Sequence, residues 1–145
     1  MSYKNIICTV DGSELGDRAL DEAVYLSKIS GAKLTLLYVS EQAYKAVLIS
    51  DSKEWDAIRE GWRTEGTEIL LKEKAKVVAN GVKDVQIVLR DGEVSNEVIS
   101  ETFEKGADLI VMASHRYSPV GKLFHGSIID RVTKRSPCPV LWVFK

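Results

Sequence analysis

The chain has 145 residues, 45% hydrophobic and 28% charged, and its 20 basic and 21 acidic residues leave a formal charge of −1. That length suits one domain, 1–145, with a real core, and the near-neutral balance gives no electrostatic reason for a nucleic-acid partner or an anionic membrane. No run reaches the length of a membrane span, and the apolar stretch in "MSYKNIICTVDGS" is too short for a signal peptide, so a cytoplasmic location is expected.

The elements follow in chain order. "NIICTV" (5–10) is a β-branched run ending at the turn signal "DGS". From Ser13 the period changes, and Leu15, Ala19, Leu20, Ala23, Val24 and Ser27 fall on one helical face. Ser13 is the expected N-cap and Gly31 the stop. "KLTLLYV" (33–39) is the second strand, followed by a connection, 40–52, of no clear period. A long helical segment runs from about Lys53 to about Asn80, with Trp55, Ile58, Trp62, Ile69 and Leu70 as its expected buried face. Gly61 and Gly66 each weaken it by roughly 1 kcal/mol and allow a break there. "DVQIVLR" (84–90) is the third strand. The next helix turns Val94, Val98, Ile99 and Phe103 inward and ends at Gly106. "ADLIVMA" (107–113) is the fourth strand. A basic loop then leads to a helix start at Gly126-Ser127, and "PCPVLWVF" (137–144) is the last strand.

This βαβαβαβαβ alternation predicts an α/β fold: a doubly wound, five-stranded parallel sheet with helices on both faces. Near-continuous apolar strands fit burial on both sides. The two cysteines, Cys8 and Cys138, have no metal-ligand spacing and read as small core residues.

In such a sheet, ligands bind at the carboxyl ends of the strands where strand order reverses. Two strand-end loops look chemical. Asp11 closes the first strand, where a carboxylate can accept from a ribose hydroxyl or an adenine amino group; it can equally shape the Asp-Gly turn. "ASHRYSPVGKLFHGS" (113–127) follows the fourth strand. His115, Arg116, Lys122 and His125 make it basic, and Gly126-Ser127 opens a helix whose free N–H groups favour a phosphate. Ser127 can also be a plain N-cap. There is no P-loop, no dinucleotide fingerprint and no nucleophile elbow, and the two histidines lack a metal-binding partner at useful spacing.

"VDGS", the segment "DLIVMASHRYSPVGKLFHGSIIDRVTKRSPCPVLWV" and the order of elements resemble the universal stress protein family over the whole chain. The resemblance implies the adenine nucleotide alpha hydrolase-like form of the sheet and a role in stress response or regulation. It also implies a site for ATP or a related adenine nucleotide, with Mg2+ on the phosphates. Nucleotide-binding members carry Gly-x2-Gly-x9-Gly-Ser/Thr after the fourth strand. Here those positions are Ala113, Arg116, Gly126 and Ser127, so the last two match and the first two do not. Thr9, Val10 and Asp11 match the segment that meets adenine and ribose, Val39 the backbone position that reads adenine, and Met112 and Ile128 contacts flanking the phosphate loop. Val10, Val39, Met112 and Ile128 would be core residues in any such sheet.

The family resemblance further implies a homodimer through the last strand, Val140 to Phe144, which covers an apolar edge, with Trp142 either at that interface or in the core. Two readings stay open. In one, the chain is a nucleotide-binding module that signals to an as yet unknown protein partner. In the other, it is a nucleotide-free interaction protein whose Arg116 fills the pocket. A slow ATPase is a third, for which no dedicated base is visible.

Overall fold

The computed structural model describes residues 2–49, 53–114 and 125–144, with the backbone alone for 46–49 and 125–127. The elements are β1 (Asn5–Thr9), α1 (Glu14–Ser30), β2 (Lys33–Ser40), α2 (Glu41–Ile49), α3 (Lys53–Ala79), β3 (Val85–Asp91), α4 (Val94–Lys105), β4 (Leu109–Ser114), α5 (His125–Arg135) and β5 (Val140–Phe144). The five strands are parallel in the order β3-β2-β1-β4-β5. The chain lays β2 and β3 on one side of β1, then returns to add β4 and β5 on the other. That reversal makes β1 and β4 neighbours whose connections leave in opposite directions, which opens a crevice at their carboxyl ends.

Alternation along each strand sorts side chains to the two faces. Ile6 and Cys8 of β1, Leu34 and Leu36 of β2, and Leu109 and Val111 of β4 pack under α1 and α3 against Ala19, Leu20, Ala23, Leu70 and Val77. Ile7, Leu37, Ile110 and Met112 point the other way, to Val98 and Ile99 of α4 and Val132 of α5. Both faces are covered, which is why the strands read as apolar runs. Each fully buried Leu or Ile here contributes about 2 kcal/mol. Cys8 belongs to the first core and Cys138 packs against the second.

Local signals set the ends of α1. Ser13 Oγ accepts from the Gly16 N–H at 3.0 Å, and Gly31, at φ 76°, donates its N–H to the Ser27 carbonyl. Gly106 closes α4 in the same left-handed conformation.

Four expectations are corrected. Residues 41–49 of the connection form α2. The helix α3 runs unbroken through both glycines. At Gly61 the roughly 1 kcal/mol propensity cost is spread over a helix rich in Glu, Lys, Arg and Leu, too little to stop it. At Gly66 the missing side chain is what lets the helix lie on the sheet, because a Cβ there would be 2.7 Å from the Tyr38 ring and 2.9 Å from Leu89 Cδ1. The buried face of α3 is Gly66, Leu70, Glu73 and Val77; Ile58 and Trp62 are exposed, because they precede Gly66, the first buried residue of the helix. On α4, Val98 and Ile99 are buried as expected, but Phe103 is exposed near the helix's far end.

Candidate functional site

At the carboxyl end of the sheet, between β1 and β4, lies a cavity of about 240 Å³. Its walls come from consecutive strand ends and helix starts: Thr9, Val10 and Asp11 after β1, Val39 at the end of β2, Met112 and Ala113 of β4, and Ile128 in the first turn of α5. The structure thus gathers these seven sequence-singled residues around one space. Gly126 and Ser127 lie in the first turn of α5, which begins at His125, so Ser127 is inside the helix and not its cap. Arg116 lies outside the described residues, as do His115 and Lys122.

The loop after β1 is built residue by residue. The Val10 N–H donates to the Leu37 carbonyl at 2.9 Å, carrying the β1–β2 ladder one step past the strand. Gly12 turns the chain at φ 78°, a conformation that favours glycine. Asp11 Oδ1 accepts from the Ser13 N–H at 2.8 Å and from the Ser13 hydroxyl at 2.6 Å. That hydroxyl in turn caps α1. Gly16 leaves room for this arrangement, because a Cβ there would run into the Asp11 carboxylate. Asp11 therefore shapes the turn, and it also lines the cavity.

Ala113 sits within the regular strand β4, opposite Val143. Among the described residues no non-glycine residue has positive φ, so its methyl group is carried without backbone strain.

Sequence reasoning missed four lining residues: Gly16, Leu37, Tyr38 and Val94. Val94 opens α4, and its N–H donates to Glu41 Oε1 at 3.2 Å, which ties the start of α2 to the rim. The signal for Leu37 and Tyr38 was their place beside Val39. Nothing in the sequence says that α1 and α4 start at the same cavity, since that depends on strand order.

The electrostatics suit binding more than covalent chemistry. Cys8 lies directly below the loop, fully buried; burial, then the charges of Glu73 and Asp11, push its thiol well up, so it is no nucleophile. Among the described residues no group of three or more His, Cys, Asp or Glu side chains could hold a metal ion. The first turns of α1 and α4 carry acidic residues, whereas that of α5 carries none. The start of α5 therefore keeps its partial positive charge unopposed by its own side chains. Apolar walls, one carboxylate and an uncompensated helix start can hold a flat apolar group, a hydroxyl donor and an anion together.

The match to known proteins follows the same lines. The model of the universal stress protein family matches residues 2–143. A universal stress protein of Bacillus subtilis, YxiE, is 31% identical over 97% of this chain and 99% of its own length. Among solved structures, the universal stress protein UspA from Lactobacillus plantarum superposes with a TM-score of 0.81 at 19% identity, covering 99% of each chain. A universal stress protein in complex with cAMP superposes at 0.74 with 23% identity, over 99% of this chain and 98% of that one. The universal stress protein from Archaeoglobus fulgidus in complex with dAMP superposes at 0.68 with 18% identity, over 99% of both. Among the described residues no helix is long and apolar enough to cross a membrane. With a family model matching nearly every residue and a relative aligned end to end, the chain belongs to the universal stress protein family.

Proposed function

We propose that this protein is a cytoplasmic module of stress response or regulation that binds ATP or a related adenine nucleotide at the carboxyl ends of β1 and β4. The observation that carries this reading is the single cavity lined by Thr9, Val10, Asp11, Val39, Met112, Ala113 and Ile128. Val10, Val39, Met112 and Ile128 offer apolar surface to a base, Asp11 an acceptor to a sugar hydroxyl, and the start of α5 a partial positive charge to a phosphate. Two fold neighbours hold cAMP and dAMP, which supports the adenine part of the assignment. With a triphosphate, Mg2+ would share the phosphate charge. Titration calorimetry with ATP, AMP and magnesium tests the reading. Binding at micromolar to millimolar concentration is expected, and no heat at millimolar nucleotide would overturn it.

A second reading rests on Arg116, which stands where nucleotide-binding relatives of the motif have glycine. An arginine there either pairs with a phosphate or fills the pocket. The variant Arg116→Gly separates the two. Loss of binding in the variant makes Arg116 a phosphate ligand; a gain by the variant of binding that the parent lacks makes the protein a nucleotide-free interaction module.

The proposal includes a homodimer through Val140 to Phe144. Its support is the strand order, which puts β5 at the edge of the sheet with β4 as its paired neighbour among the described residues. Trp142 serves the core side of that strand: it packs against the core under α4 and α5, and its Nε1–H donates to Thr133 Oγ1 at 3.2 Å.

A further inference from the structure

Two helix starts meet at the cavity: Val94 opens α4, Ile128 stands in the first turn of α5, and both line it. Glu93 is the N-cap residue of α4, yet its side chain makes no capping bond. The Val94 N–H is served from α2 instead, by Glu41 Oε1 at 3.2 Å. The Glu93 carboxylate is spent elsewhere. Its Oε1 accepts from the Ser95 hydroxyl at 2.6 Å and from Arg131 Nη1 of α5. One turn further along α5, Arg135 Nη1 donates to Asn96 Oδ1 of α4 at 2.6 Å. The Ser95 bond first, and then Arg131 against an opposing desolvation, hold the Glu93 carboxyl below its ordinary range, so the pair is charged at neutral pH.

The helix α5 has only 11 residues, and Val132 is the one fully buried side chain among those described on it. One such anchor sets how deep α5 sits and leaves its tilt to other contacts. Arg131 and Arg135 stand one turn apart on the same side of α5, and both grip the start of α4. Arg131 follows Ile128 by three residues, about 4.5 Å along the helix axis. The partial positive charge of a helix start falls off within its first turn, so the tilt of that end decides what charge an anion meets. Building on the nucleotide reading above, we propose that Glu93 and Arg131 are positioning residues for the phosphate: their ion pair latches α5 to α4 and fixes where the start of α5 stands against the cavity. Neither side chain touches the ligand. Charge alone predicts the opposite for Glu93, because a carboxylate near an anion repels it and its removal would tighten binding.

Calorimetric titrations of AMP and adenosine into the full chain test this, with the wild type, Glu93→Ala, Arg131→Ala and the double variant compared. Both side chains are exposed, Glu93 makes no capping bond, and Val132 with the Arg135–Asn96 bond remains, so the fold is expected to survive. A thermal melt checks that it does. The wild type is expected to bind AMP more tightly than adenosine. Glu93→Ala is expected to bind AMP about threefold more weakly, the scale of an exposed ion pair, and adenosine as the wild type does. Arg131→Ala is expected to match it, and the double variant to lose no more than either single one, because the same latch is broken in all three. Unchanged or tighter binding of AMP by Glu93→Ala would overturn the latch while leaving nucleotide binding intact. An equal loss for adenosine would overturn its assignment to the phosphate. A wild type that binds AMP no more tightly than adenosine would overturn it without reference to any variant. Failure of the wild type to bind either ligand would overturn the nucleotide reading itself, and this inference with it.

Discussion

Glu73 shows how one side chain can work against the fold that holds it. It sits on the inner face of α3 at 2% exposure, among residues that are otherwise apolar. Oε1 accepts from Lys76 Nζ at 3.2 Å, but Oε2 is buried without a hydrogen-bond partner. Burial raises its pKa, the Lys76 bond opposes this, and the nearby Asp17 carboxylate adds to the rise, leaving the group above the ordinary value of 4.5. The sign follows from linkage. The folded protein holds the proton more tightly than the unfolded chain, so stability falls as pH climbs from the unfolded value through the raised folded one. An unsatisfied buried acceptor costs about 1–3 kcal/mol, whereas the pair with half-exposed Lys76 is worth under about 1 kcal/mol. Glu73→Gln, whose amide can donate towards Asp17, is therefore expected to raise Tm by about 3 °C at pH 8. That gain should shrink to nothing near pH 4, roughly the ordinary carboxylate range. Thermal unfolding of both proteins across that interval checks the claim, and a gain independent of pH would contradict it.

At the scale of the element, α3 carries two glycines with opposite meanings. Gly61 is exposed, and a Cβ added there would meet nothing within 4 Å. Gly66 is buried against Tyr38 and Leu89. Replacing a helical Gly by Ala gains about 1 kcal/mol where space allows. Forcing a methyl group into a packed contact costs about 1–3 kcal/mol. Gly61→Ala should thus raise Tm by about 3 °C and Gly66→Ala should lower it by a similar amount or more, read by calorimetry or circular dichroism. The same contact explains why this helix was only partly legible. A glycine lowers helix propensity identically at both positions, and the sequence alone cannot say which one meets a neighbour. The periodicity of Trp55, Ile58 and Trp62 was correctly helical, but periodicity marks a face and not whether a sheet lies beneath it. By contrast, both ends of α1 were readable, because Ser13 and Gly31 act through bonds to residues three or four positions away.

For the whole molecule, strand order decides what is edge and what is centre. With β5 outermost beside β4, its free side is an apolar ribbon of the kind that proteins cover. If a second copy covers it, sedimentation should give the mass of a dimer, and Val140→Pro should give a monomer, because the register turns the Val140 N–H away from β4, so proline there removes a donor from the edge and stiffens the strand. A wild type that sediments as a monomer at tens of micromolar would set the dimer aside. The candidate site was legible in the same graded way. Thr9, Val10, Asp11, Val39, Met112, Ala113 and Ile128 were singled out from strand ends and a loop motif, and they line one cavity. Gly16, Leu37, Tyr38 and Val94 were not: Leu37 and Tyr38 stand beside Val39 in the chain, whereas Gly16 and Val94 lie at the starts of helices whose meeting at one cavity depends on strand order.

The sequence by itself determined the alternation of strand and helix, both caps of α1, the Gly106 stop of α4, the apolar faces of the strands and the family. These depend on period, on turn chemistry and on residues close along the chain, so local physics is enough to express them. Only the tertiary structure decided the order β3-β2-β1-β4-β5, the depth at which α3 meets the sheet, and the double duty of Asp11 as turn-former and cavity wall. It alone also decided the seating of Tyr38 against Gly66. Those features come from contacts between residues tens of positions apart, which the chain acquires only when the sheet reverses direction and closes its core.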